Sequence, residues 1–158
     1  MDKYFEVRKA RIDDAEAIQK ITIEAFQKYC EMAGLSSIAA LTESIDDIRG
    51  DIEEKIVLVA YIDKEVVGSV RVAVNSEDKT AYLGRFGVST KYQNLGIGKA
   101  LMNMVDVRMR SMGVKKIMLH TASKVFPLVR FYYGRGFYID STEKDRGYVR
   151  ALLVKEYE

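Results

Sequence analysis

One cysteine, one proline and one histidine are all that 158 residues contain of these three types. With Cys30 alone, no disulfide can close within the chain; this fits a reducing compartment, and a cytoplasmic location is the expectation. Pro127 alone leaves little material for an extended hinge, and no linker, internal repeat or low-complexity tract interrupts the sequence. No apolar run approaches the roughly 20 residues that a membrane-spanning helix needs, so no membrane partner is expected. The start, MDKYFEVRKARIDD, carries acid early and lacks the apolar stretch of a signal peptide. An excess of one charge sign is missing too: 25 Lys and Arg stand against 23 Asp and Glu, a net charge of +2. That balance argues against wholesale nucleic-acid binding and leaves only a local basic patch open.

What is present describes one globular domain over residues 1–158. The chain is 48% hydrophobic and 30% charged, and it is long enough to bury a sizeable core. YFEVRKA alternates and reads as a first strand. In DDAEAIQKITIEAFQKY, Asp13 with Glu16 three residues on has the form of a capping box. Ile18, Ile21, Ala25 and Tyr29 then recur at helical spacing. ESIDDIRGDIEEK repeats that pattern through Ile45, Ile48 and Ile52, with Gly50 as its weak point.

KIVLVAYI, EVVGSVRVAV and TAYLGRFGV are rich in strand formers and joined by short turns, which predicts an antiparallel meander. Gly98 to Met112 reads as a long helix with Leu101, Val105, Met109 and Met112 on one stripe and Gly113 at its C-terminal cap. Met102, Met104, Met109 and Met112 read as core of that helix. KKIMLHTA is a strand, FPLVRFYYGRG a short helix with Pro127 in its first turn, and FYIDS and YVRALLVKEY are the last strands. The expectation is an α/β fold: a mixed, mostly antiparallel central sheet of about seven strands flanked by about four helices. The strand after the long helix should run parallel to the strand before it, since a helical crossover allows this.

The stretch YQNLGIGKAL joins a strand that ends near Val88 to the long helix. The first N–H groups of a helix lack intrahelical partners, and the helix dipole adds partial positive charge there. Glycine lets the backbone come close to a ligand. Strand, glycine loop and helix start together make a phosphate cradle, to which Lys91 and Lys99 add charge. The plain alternative is a tight turn and nothing more. A Rossmann fingerprint fails at Leu101, where it needs Gly or Ala, and a P-loop fails at Ala100, where it needs Ser or Thr.

What does fit is Q-x-x-G-x-G, spelled Gln93-Asn94-Leu95-Gly96-Ile97-Gly98. Here the sequence resembles the GNAT superfamily of N-acetyltransferases, whose acetyl-CoA loop reads Q/R-x-x-G-x-G/A. The family's Y-x-x-x-G-F pattern returns at Tyr132 to Phe137, and the order of elements matches from end to end. The resemblance implies acetyl-CoA as cosubstrate, no metal, and direct attack of an amine on the thioester. It implies that the pantetheine arm pairs with Phe86, Gly87 and Val88. It implies that the pyrophosphate meets the backbone from Gln93 through Asn94, Leu95, Gly96, Ile97 and Gly98 to Lys99. Backbone N–H groups near Phe86 to Val88 are candidates for the carbonyl oxygen. Gly87 also has the look of a bulge or a close ligand approach. Tyr132 takes the position of the family's general acid.

Two departures stand out. Seven residues before Tyr132, where many members carry asparagine, this chain has Val125, with Ser123 as a substitute contact. Where many members carry a glutamate base in the strand before the loop, this chain has Tyr82. The base is therefore open between a water chain, a carboxylate from residues 24 to 47, and His120. Strand alternation turns His120 away from Leu119 and Thr121, and so away from the cleft. Glu24, Glu31, Glu43, Asp46 and Asp47 are candidates to attract a cationic amine. The resemblance implies an acetyl-CoA-dependent N-acetyltransferase acting on a small-molecule amine or a peptide or protein N-terminus, with a homodimer possible. The alternatives are a GNAT-fold module that binds acyl-CoA without turnover and, less well matched, a nucleotide-binding α/β protein.

Overall fold

A computed structural model describes residues 4–158; residues 1–3, on which the signal-peptide reading partly rests, lie outside it. The chain runs β1 (Glu6–Lys9), α1 (Ala15–Ala33), α2 (Ile45–Glu54), β2 (Ile56–Ile62), β3 (Glu65–Asn75), β4 (Thr80–Val88), α3 (Ile97–Ser111), β5 (Lys116–Ala122), α4 (Phe126–Gly134), β6 (Tyr138–Glu143) and β7 (Arg150–Glu156). The strands form one seven-stranded sheet in the order β1-β2-β3-β4-β5-β7-β6. Only β4 and β5 pair in parallel, across the α3 crossover, as the sequence predicts. Among the described residues, no helix is long and apolar enough to cross a membrane.

Strand alternation divides the core in two. Leu58, Val70, Val72, Leu83, Ile117 and Leu119 face α3 and pack against its Leu101, Val105 and Met109. Val57 and Val59 face the other way, onto Ile18 and Ile21 of α1 and Ile48 and Ile52 of α2. Each fully buried aliphatic side chain contributes about 1.5–3 kcal/mol. The outer side of β5, β7 and β6 carries no helix in either cluster.

Three local expectations are corrected. The Asp13–Glu16 cap does not form. Ile12–Asp14 make a short 3-10 turn, and the Asp14 carboxylate instead accepts from the Arg11 N–H at 2.7 Å. Arg8 on β1 forks onto the same carboxylate at 2.7 and 3.0 Å, and this charge-assisted pair decides which aspartate is used. Gly50 does not interrupt α2. Ser44 and Asp47 cap the helix reciprocally, and the space beside Gly50 is open. Met112 is not core: it lies beyond the last turn of α3 and is 52% exposed, whereas Met102 and Met109 are buried and Met104 is half-buried.

Two irregularities shape the middle of the sheet. Ser69 pairs with Gly87 but Arg71 with Gly84, so Arg85 and Phe86 together oppose Val70 alone. Arg85 takes a left-handed backbone there, φ 51°, which makes this a β-bulge. The second is a split. β4 and β5 pair only from Thr80–Tyr82 to Lys116–Met118, although both strands continue further. Beyond that point they diverge, and one edge of each is left without a strand partner.

The buried Arg71 side chain, on the α1–α2 side, anchors the chain before α2. It forks onto Glu43 at 2.7 and 2.8 Å and reaches Asp51 at 2.9 Å. This joins β3, α2 and the segment that walls one end of the split.

Candidate active site

The split opens into a cleft of about 640 Å³. The turn after β4 connects two stretches of its lining, Tyr82–Val88 and the loop from Tyr92. Glu24, reaching over from α1, accepts from the Thr90 N–H at 2.7 Å and from the Thr90 and Ser89 hydroxyls at 2.6 and 3.2 Å. These bonds, led by the Thr90 hydroxyl, hold its carboxyl below the usual range. Asn94 and Gly96 then both take left-handed backbone, φ 63° and 82°, and Gly96 caps α3. The first bond closing the helix runs from Ala100 N–H to Gly96 C=O at 3.0 Å. The N–H groups of Ile97, Gly98 and Lys99 therefore lack a carbonyl inside the helix, and they belong to residues that line the cleft.

The glycines serve different ends. Gly96 has open space where a Cβ would stand; what it needs is the left-handed backbone. Gly98 makes room for a ring, since its Cβ would come within 3.0 Å of Phe86. At Gly87 a Cβ would lie 2.6 Å from that of Ala25, so the missing side chain lets α1 approach the sheet. Only the backbone of Gly87 is left for a ligand, and the bulge expected there sits at Arg85 and Phe86 instead. Of the expected cofactor residues, Phe86, Gly87, Val88, Gln93, Asn94, Gly96, Ile97, Gly98 and Lys99 all line the cleft; Leu95 does not, and is exposed.

Tyr132 enters from α4. It is buried among Phe86, Phe131 and Phe137, with ring centroids 6.2, 5.4 and 5.6 Å away. Tyr132 lines the cleft, and its hydroxyl makes no hydrogen bond among the described residues. Burial raises its pKa and keeps it protonated. Tyr133, its neighbour, is exposed and outside the cleft, so the two tyrosines are told apart. Val125 is buried, and Ser123 is not part of the cleft, so neither offers the side-chain contact that an asparagine would.

On the opposite face of the sheet, the Tyr82 hydroxyl lies 2.6 Å from His120 Nδ1. His120 does not turn away from the cleft. The split exposes both faces of β5 at this level, so Leu119, His120 and Thr121 all line it. Burial, then nearby Arg150, lower the pKa of His120. Sequence reasoning missed Tyr29, which it assigned to the stripe of α1. Its hydroxyl accepts from the Ala122 N–H at 2.8 Å, bridging α1 to the free end of β5. Burial pushes its pKa up to about 12.

Among the described residues, no aspartate or glutamate lines the cleft. Glu24 is tied to the Ser89–Thr90 turn, Glu43 to Arg71, Asp46 to Arg49 and Asp47 to Ser44. Helix caps and ion pairs engage these four, Glu31 is exposed, and Glu43 and Asp47 line a smaller pocket that shares Tyr82, Gly84 and Arg85 with the cleft. Among the described residues, the charged lining is basic: Lys28, Arg85, Lys99, Arg146 and Arg150. Arg150 is held by Asp145 at 3.0 Å and Arg85 touches Glu43 at 3.4 Å, whereas Arg146 makes no hydrogen bond or ion pair among the described residues and meets Asp145 only through its charge.

The model of the acetyltransferase (GNAT) family matches residues 16–137. The chain is 29% identical to the L-amino acid N-acetyltransferase AaaT of Escherichia coli (strain K12), over 96% of this chain and 93% of that protein. Its fold is similar to the PaiA N-acetyltransferase from Thermoplasma acidophilum in complex with coenzyme A, with a TM-score of 0.83 at 22% identity, covering 98% and 99% of the two chains. It is also similar to the ribosomal-protein-S18-alanine N-acetyltransferase from Escherichia coli, with a TM-score of 0.80 at 14% identity, covering 97% and 94%.

Proposed function

Because the chain belongs to the acetyltransferase (GNAT) family, we propose that its cleft transfers an acetyl group to an amine that also carries a carboxylate, an L-amino acid. Acetyl-CoA-dependent N-acetylation is the activity; the acceptor is the proposal. The observation that carries it is the charge of the lining. Among the described residues the cleft is lined by cations and by no carboxylate, and although Asp145 and Glu43 offset Arg150 and Arg85, the balance favours an acceptor that carries negative charge over a polyamine. The AaaT relative is named an L-amino acid N-acetyltransferase.

The residues fit the cofactor. Acetyl-CoA, when bound, supplies an activated acyl thioester. The β4 edge beyond the split offers unpaired backbone groups to an amide-bearing arm, as a sheet edge takes an added strand. The start of α3, with Lys99, offers N–H groups and positive charge to phosphates. Tyr132 has a protonated hydroxyl with no competing partner, which suits it to donate to the departing sulfur. Arg146 and Arg85 are the groups suited to hold the acceptor carboxylate.

The test is CoA thiol release over a panel: L-amino acids, the corresponding amino acid amides, spermidine, and peptides with free N-termini. Higher kcat/KM for amino acids than for their amides is expected. Faster turnover of spermidine than of every amino acid would sink the acceptor reading and leave the acetyltransferase activity standing.

A further inference from the structure

We propose that Tyr82 and His120 form a proton relay that deprotonates the acceptor ammonium, an inference that rests on the acetyltransferase reading above. The two residues are 38 positions apart in sequence, and the split brings them together. Tyr82 belongs to the last register pair of β4 with β5, opposite Met118. His120 stands two residues further along the same face of β5. The pair thus sits where the strands separate, with rings 5.6 Å apart and the hydroxyl 2.6 Å from Nδ1.

The chemistry needs such a group. An amino acid is mainly an ammonium ion near neutral pH, and only the neutral amine is a nucleophile. Among the described residues, no carboxylate lines the cleft to accept its proton. The other ionisable lining groups are lysines, arginines and phenols, and burial holds the Tyr29 and Tyr132 phenols protonated. His120 is the one imidazole in the chain. The groups around it are Tyr82 on β4, Arg150 on β7, Glu143 on β6, and Asp145 and Arg146 in the turn between β6 and β7. Burial, Arg150 and Arg146 favour its neutral form and outweigh Asp145 and Glu143.

The step balances. With the imidazole proton on Nε2, the Tyr82 hydroxyl donates to Nδ1. As the ammonium N–H proton passes to the Tyr82 oxygen, the Tyr82 proton passes to Nδ1. A neutral amine and an imidazolium result, and Tyr82 ends as it began. The half-buried His120 then returns its Nδ1 proton to the Tyr82 oxygen as the Tyr82 hydroxyl proton passes to water, which restores the Nε2–H imidazole and the starting phenol.

The experiment measures kcat/KM against pH for the wild type, Tyr82→Phe and His120→Gln with an L-amino acid, together with the thermal shift each protein gives with acetyl-CoA. Both variants should keep the acetyl-CoA shift. Both should lose about 10²-fold in rate near neutral pH. The loss should shrink at high pH, where the amine is already neutral. An unchanged neutral-pH rate in either variant overturns the relay, as does a loss that stays constant at every pH, which marks a structural role. An effect of His120→Gln alone also overturns it, by leaving Tyr82 out of the path. Wild-type inactivity on every amine would instead overturn the parent reading, and it is read before any variant is made.

Discussion

Gly87 on β4 and Ala25 on α1 meet so closely that a methyl group on the glycine would lie 2.6 Å from the Ala25 Cβ. The contact sets how near α1 comes to the split. Gly87→Ala should therefore push helix and strand apart. The expected cost is about 1–3 kcal/mol of stability, read as a lower denaturation midpoint. An unchanged midpoint would mean that α1 yields freely.

Gly96 makes a different prediction. No atom crowds its Cβ, but its φ of 82° strains any other residue. Gly96→Ala should cost about 1 kcal/mol and should weaken acetyl-CoA binding by re-aiming the start of α3. Isothermal titration with acetyl-CoA checks this, and unaltered affinity would separate the loop conformation from cofactor binding.

Tyr132→Phe removes one hydroxyl from an aromatic cluster and leaves the packing intact. The turnover rate should fall about 10²-fold with little change in acetyl-CoA affinity. A rate equal to the wild type removes Tyr132 from proton transfer.

The Arg8–Asp14 pair predicts a pH dependence of stability. The Arg8 hydrogen bond, led by its guanidinium, holds the Asp14 carboxyl below its ordinary value of 3.8. A lowered folded-state pKa means that the stabilisation is fully present above 3.8 and fades as pH falls through the folded-state value. The melting-temperature gap between wild type and Asp14→Asn should be constant at neutral pH and should close in strong acid. A gap that widens on acidification contradicts this sign.

Breaking the Arg71 fork should be costly at a distance. Glu43→Gln leaves the buried guanidinium short of charge and loosens the segment before α2. Such losses run to about 3–5 kcal/mol when a partner is removed outright, and the amide retains part of the contact. Chemical denaturation gives the stability change, and the acceptor KM reports on the loosened wall.

The glycine loop and the helix end that line one part of the cleft were legible in the sequence because they are local. Gln93 to Gly98 and Tyr132 to Phe137 each sit within one turn or one helix end, and backbone needs write themselves into glycine positions there. The roles of Gly87 and Gly98 were not legible, because what crowds them, Ala25 and Phe86, comes from elsewhere in the chain. The split, the bulge at Arg85 and the meeting of Tyr82 with His120 depend on strand register, which leaves no mark on either strand alone. The acidic residues were legible as helix residues but not as caps and ion-pair partners, so their absence from the cleft could be seen only once the packing was known.

The gap between β4 and β5 has a further consequence for how this protein can change. An edge of main-chain groups is the same whatever side chains the strand carries. A ligand held there is insulated from most substitutions along β4. Side chains at the other end, on β5 and in the turn between β6 and β7, are free to vary without disturbing that grip. On the acceptor reading proposed above, a few replacements at Arg146 and its neighbours should redirect the enzyme to a new amine and leave the main-chain edge of β4 untouched.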